Sequence, residues 1–271
     1  MPDEENQVLK RWMIGLALVV VIGGLATWFY LAGRQGEAPV AGPISPAKEP
    51  APLPAAPATL HPLPAAAAPA NPLPELNDSD VAFGSALAAL VGAGAVEHYL
   101  LPDNLIRRIV VTVDNLPRQK VAMDKRAAGP VPGHFEVSGD ELHATMAPAN
   151  AVRYQPLVAS LRNLDMHAVG QVYFRFYPLF QRAYEDLGYP TGYFNDRLVA
   201  VIDDLLAAPQ TTGAIALVRP NVMYQFADPA LESRSAGQKI LLRMGAENAA
   251  TVKAKLLELR SVVTGATPKQ P

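Results

Sequence analysis

Cysteine is missing from the 271 residues, which excludes disulfides and a lipid-modified cysteine. An excess of one charge is missing too: 23 Lys plus Arg stand against 25 Asp plus Glu, and a net charge of −2 offers nucleic acid no basic footprint. The familiar catalytic patterns are also absent, with no Gly-x-Ser-x-Gly elbow, His-Glu-x-x-His, phosphate loop or dinucleotide fingerprint. Ser235 and Lys239 are one residue too far apart for a Ser-x-x-Lys pair. No cofactor is expected from such a chain, and no reaction is legible in it.

The residues that are present divide the chain unevenly. Residues 12–33, WMIGLALVVVIGGLATWFYLAG, are an uncharged apolar run, long enough to cross a hydrocarbon layer of about 30 Å as a helix. Trp12 lies at one end and Trp28, Phe29 and Tyr30 near the other, where amphipathic rings favour headgroups. The run is longer than the apolar core of a cleaved signal peptide and has no small-x-small site abutting it, so an uncleaved anchor is expected. Lys10 and Arg11 outweigh Arg34 across the span, which places residues 1–11 in the cytoplasm and the long remainder outside it. For a bacterium with two membranes the expected location is the inner membrane, with the remainder in the periplasm.

Residues 34–74 read as a Pro/Ala-rich tether, since twelve of the 26 prolines fall between residues 36 and 74. Proline removes donors and fixes φ, so the segment is expected as solvated polyproline II reaching on the order of 100 Å when extended. His61 reads as an incidental residue of this linker. Residues 75–264 form the expected globular domain, and residues 265–271 a frayed tail.

Within the domain, periodicity predicts mainly helix with a small β-hairpin component. Asp78 or Ser79 is placed to cap a first helix, and Asp103 a second carrying Ile106, Ile109, Val110, Val113 and Leu116 on one face. GHFEVSGDELHATM predicts a hairpin with Val137 opposite Leu142, which puts His134, Glu136 and His143 on one face as weak candidates for a divalent metal. AVRYQPLVASLRNL predicts one helix, and another starts at Asp165, is kinked at Pro178, and carries a stripe of Val169, Val172, Tyr173, Phe176, Phe180, Ala183 and Leu187. A β turn about Arg219-Pro220, a cap at Asp228-Pro229, a capping box of Ser235 with Gln238, and a last helix burying Val252, Leu256, Leu259 and Val263 complete the outline.

The stretch YEDLGYPTGYFNDRLVAVIDDLL, 184–206, holds five carboxylates about a Gly-Tyr-Pro turn. Gly188 and Pro190 mark a helix end, and Thr191 or Asn195 the start of the next, whose Phe194, Leu198, Val201, Ile202 and Leu205 face inward. Glu185, Asp186, Asp203 and Asp204 sit at helix C-termini, where the macrodipole disfavours anions, so partners are required. Two readings stand: ion pairs with Arg175, Arg182, Arg197 or Arg243, or a carboxylate-lined site centred on Asp196 and Asp203. The candidate ligand or partner surface is Asp186, Tyr189, Tyr193, Asn195, Asp196, Arg197 and Asp203.

VDNLP at 113–117, RY at 153–154, YPLFQRAYEDLGYP at 177–190, YFNDRL at 193–198, FADPALE at 226–232 and AGQKILLRMGAEN at 236–248 together resemble the bacterial envelope proteins grouped as domain of unknown function 3014. The resemblance implies the same plan of anchor, tether and single domain, and assigns no activity. Asp114, Asn195, Asp196, Arg197 and Asp228 lie inside its motifs. The expected function is a membrane-anchored interaction module. Its partners would be the bilayer, through residues 12–33, and an envelope protein or the cell wall. A carboxylate- or metal-dependent envelope hydrolase is the alternative.

Overall fold

The computed structural model describes residues 58–63, 72–140 and 142–266. The expected anchor at 12–33, the segment 1–11, most of the tether and the last residues of the tail lie outside the described residues. Among those described, no single helix is long and apolar enough to span a membrane.

After a 3-10 turn at Leu76–Asp78, helix α1 (Asp80–Val91) and helix α2 (Ala93–Tyr99) meet at 116° about Gly92, whose φ of 83° a side chain would strain. Helix α3 (Leu105–Asn115) starts after Asn104, the one described non-glycine residue with positive φ. Asp103 does not cap it. The carboxylate of Asp80, on the first turn of α1, accepts from Asn104 N at 2.6 Å and Leu105 N at 2.8 Å. Ser79 likewise leaves its own helix uncapped and donates to the Leu76 carbonyl.

Strands β1 (Val137–Ser138) and β2 (Thr145–Met146) form the first hairpin, antiparallel with Val137 opposite Met146. The register is therefore longer than expected, and Leu142, 88% exposed, points into solvent rather than pairing with Val137. Asp140 explains the wider loop: its Oδ1 accepts from the amides of Leu142 and His143, a side-chain turn that takes these residues out of the ladder. The helix expected from Ala151 onward is two helices, α4 (Ala149–Val152) and α5 (Gln155–Arg162), with Pro156 in the first turn of α5, where its missing N–H costs no helical bond.

Helix α6 (Met166–Asp186) begins at the Asp165 cap, which accepts from His167 N, and continues through Pro178 as one element. Helix α7 (Phe194–Leu206) follows the Gly-Tyr-Pro turn. Strands β3 (Leu217–Val218) and β4 (Gln225–Phe226) make the second hairpin, about Arg219-Pro220 as expected. Helices α8 (Pro229–Glu232), α9 (Ala236–Arg243) and α10 (Ala246–Thr264) end the fold. Asp228 caps α8 by accepting from Ala230 N at 2.8 Å. Ser235 caps α9 through Gln238 N, but the Gln238 side chain reaches Asp204 instead of closing the box.

The core lies where α3, α6, α7 and α10 pack together, with α5 against α10 and α9 against α7 and α10. Its centre is aromatic: Phe180 stacks on Phe194 at 5.6 Å, and Phe83 meets Phe176 and Phe180 edge-on at 5.1 and 5.5 Å. The expected α6 stripe is buried from Val169 to Ala183, save half-buried Val172, and opens to solvent at Leu187. Two glycines set how closely the helices approach. A Cβ on Gly170 would strike Val262 of α10, and one on Gly237 would strike Leu205 of α7; Gly237 N donates to the Leu116 carbonyl at 2.9 Å. A smaller apolar cluster of Ala144, Ile215, Leu217, Phe226 and Leu242 lies beneath the hairpins, which Met146 N joins by donating to Ile215 O.

Candidate functional site

The corner between α6 and α7 is built by a residue that local pattern did not single out. Neither Thr191 nor Asn195 caps α7; Gln181, on α6, accepts from Phe194 N at 2.9 Å and donates to Gly192 O at 2.8 Å. Tyr177 and Glu185 hold the Gln181 amide in turn, at 3.0 and 3.1 Å. The first turn of α7 is thus fixed before any ligand is considered, and it presents Asn195, Asp196 and Arg197 in three directions.

Asn195 points inward. It is buried, accepts from the Tyr173 hydroxyl at 3.1 Å, and donates to the Val263 carbonyl at 3.1 Å. Burial pushes the Tyr173 phenol well above its ordinary value, with Tyr177 and Asp196 adding to the shift, so the hydroxyl stays a donor. That donor fixes which end of the Asn195 amide is oxygen.

Asp196 points toward the expected tether, part of which is docked on the domain instead of standing clear of it. Leu60 N donates to Asp196 Oδ2 at 3.0 Å and His61 N to Oδ1 at 2.7 Å, while Asn195 Nδ2 donates to His61 O at 2.8 Å. Leu63 and Leu73 pack on the main core. His61, read as incidental, is therefore held at both its amide and its carbonyl.

Arg197 points to α3. Its Nε donates to Asp114 Oδ1 at 3.0 Å, and Arg118 Nη2 meets the other oxygen at 2.6 Å. Tyr189, stacked on Tyr184 at 4.6 Å, contacts both Arg118 and Asp114 through its hydroxyl. The hydrogen bond to Asp114 raises the pKa of Arg118 above its ordinary value. Two guanidiniums here share one buried carboxylate.

The remaining carboxylates of 184–206 have separate partners. Asp186 takes Arg107 at 2.7 Å and Arg182 at 3.3 Å. Asp203 accepts two bonds from Arg260, at 2.7 and 3.1 Å, and Asp204 accepts from Ser235 at 2.7 Å and Gln238 at 3.1 Å. Asp196 and Asp203 do not join in one site. Of the expected cation partners, Arg182 is correct and Arg197 pairs with Asp114 instead. Arg175 lies over the Phe176 ring and Arg243 over Phe226. Tyr193 is half-buried at the start of α7, and its carbonyl accepts from Arg197 N.

His134, Glu136 and His143 are not gathered into a ligand set, and among the described residues no group of three His, Cys, Asp or Glu is placed to hold a metal. His143 Nδ1 lies 3.0 Å from Asp140 in the exposed hairpin turn. The backbone carbonyl of His134 accepts from Arg153 at 2.8 Å, and the backbone of Glu136 is bracketed by Asn150.

The class the fold defines is a mainly helical domain with two short antiparallel strand pairs. The model for Protein of unknown function (DUF3014) matches residues 105–260, more than half of the chain, which belongs to that family. Neither the curated proteins nor the solved structures contain a match to it. The match covers Asp114, Arg118, Tyr189, Asn195, Asp196 and Arg197 and leaves out the docked residues 58–63.

Proposed function

We propose that this protein is a membrane-tethered interaction module. Residues 12–33 would anchor it as a single pass in a bacterial inner membrane, with residues 1–11 in the cytoplasm and the domain in the periplasm. The lipid bilayer is one partner, and a protein or cell-wall component of the envelope is the other. The length and apolarity of 12–33 and the proline content of 36–74 support the anchor and tether.

The observation that carries the reading is the grip of Asn195 and Asp196 on the backbone of Leu60 and His61. Those side chains engage groups every peptide possesses, on a frame held by Tyr173 and Gln181. The alternative of a carboxylate- or metal-dependent hydrolase gains no support from the same corner. Asp186, Asp203 and Asp204 are each engaged by a cation or a polar side chain.

Photo-crosslinking in living cells tests the proposal, with the probe at Tyr193 of the full-length chain. One reproducible envelope partner, lost in the Asp196→Ala variant, is the expected result. Adducts confined to the chain itself, from folded and exported protein, would overturn it. A reporter enzyme fused after Pro271 that is active only outside the cytoplasm checks the topology.

A further inference from the structure

We infer that Asn195 and Asp196 form a peptide-binding site whose resident ligand is the chain's own segment Ala58–Leu63. The chemical class the site takes is a bent, proline-bracketed peptide with two consecutive backbone N–H groups and a following free carbonyl. This deepens the interaction-module reading and rests on it.

The shape of the ligand follows from the bonds. Successive N–H groups of an extended chain point to opposite sides. Here the amides of Leu60 and His61 both reach one carboxylate, because the chain bends at these two residues. Two donors converging from a bend on one side suit an anion, and a carboxylate is their natural counterpart. The site reads backbone, since the Leu60 side chain is 76% exposed. Proline is excluded at both gripped positions, because each must donate.

Proline just outside the gripped pair has the opposite effect. Pro57 and Pro62 bracket the four residues Ala58–His61, one of two proline-free windows of that length between residues 36 and 74, the other being Ala65–Ala68. Fixed φ values on either side reduce the free conformations lost on docking. Leu63, packed on the core, adds an apolar anchor that the alanine window lacks.

The receiving side is pre-organised. Tyr173 and Val263 orient the Asn195 amide, and Asp196 sits in the first turn of α7, where the macrodipole favours a carboxylate. The ligand is also close at hand, ten residues before Leu73, which itself packs on the core. A short linker gives an effective concentration on the order of mM. A segment of the same class on another molecule must therefore displace the tether to bind.

The test uses the full-length chain in nanodiscs and hydrogen exchange of its 58–63 segment. In wild type, the Leu60 and His61 amides should exchange at least about tenfold more slowly than in Asp196→Ala; a second variant, Leu60→Pro/His61→Pro, has no amide hydrogen at either position and serves the competition measurement. The second variant alters only the tether and leaves the core untouched. A fluorescent peptide of residues 56–63 should bind the Leu60→Pro/His61→Pro chain at least about tenfold more tightly than wild type, where the tether competes. The same peptide with proline at both gripped positions should not bind. Protection that is absent in wild type, or unchanged in Asp196→Ala, overturns the inference, as does a peptide that binds no form of the chain. A partner crosslinked at Tyr193 whose capture ignores the tether substitutions would sink this inference and leave the interaction module standing.

Discussion

Arg197 donates twice to one residue of α3, its Nε to the Asp114 carboxylate at 3.0 Å and its Nη2 to the Asp114 carbonyl at 2.7 Å. The Asp114 side chain is 3% exposed, Arg197 27% and Arg118 53%. Asp114→Ala would leave two guanidiniums facing each other without a counter-ion. The expected cost is about 2–3 kcal/mol, below that of a fully enclosed pair because Arg118 reaches solvent. For a domain of this size the thermal midpoint should fall by roughly 5–10 °C. A midpoint within a degree of wild type would show that the two cations need no anion between them.

The start of α3 distinguishes a local cap from a distant one. Asp80→Ala removes the acceptor of two backbone N–H groups and should cost about 1–2 kcal/mol in urea unfolding. Asp103→Ala, at the position that local pattern favours, should change stability by less than about 0.5 kcal/mol. Equal effects from the two substitutions would contradict the geometry.

Burial raises the phenols of Tyr99, Tyr154, Tyr173, Tyr177 and Tyr184 above the ordinary value of 10.0. In the unfolded chain these groups would lose their protons first as pH rises. Their contribution to stability is therefore complete below the ordinary value and declines as pH climbs through it toward the raised folded values. Alkaline titration followed by tyrosinate absorbance and circular dichroism should show these five tyrosines ionising only with loss of helix. A single titration step that precedes any loss of helix would refute this.

Periodicity made much of the core legible. The stripes of α6 and α7, the buried face of α3 and that of α10 follow from spacings of three and four, because burial of one helix face is written into its own residues. Caps at Asp165 and Asp228 were equally visible, since acceptor and donor are two residues apart. Partners drawn from elsewhere in the chain left no such mark. Asp80 serves α3 from 24 residues away, Gln181 serves α7 from the preceding helix, and Asp196 holds amides 135 and 136 residues distant. The first hairpin slipped for a related reason: two-residue strands carry too few alternating positions to fix a register. At the candidate site, Asn195, Asp196 and Arg197 were recognisable as unusual, but their division among tether, core and α3 depends on tertiary packing alone.

The grip at Asn195 also decides where force enters the domain. A pull along residues preceding Ala58 meets Asp196 and Asn195 before it meets α1, so the chain is loaded through α7 and not peeled from its first helix. Asn195 holds the Val263 carbonyl as well, and the load divides between α7 and the last turns of α10. The two ends of the folded region are thus tied at a single amide, which acts as the mechanical hitch of the molecule.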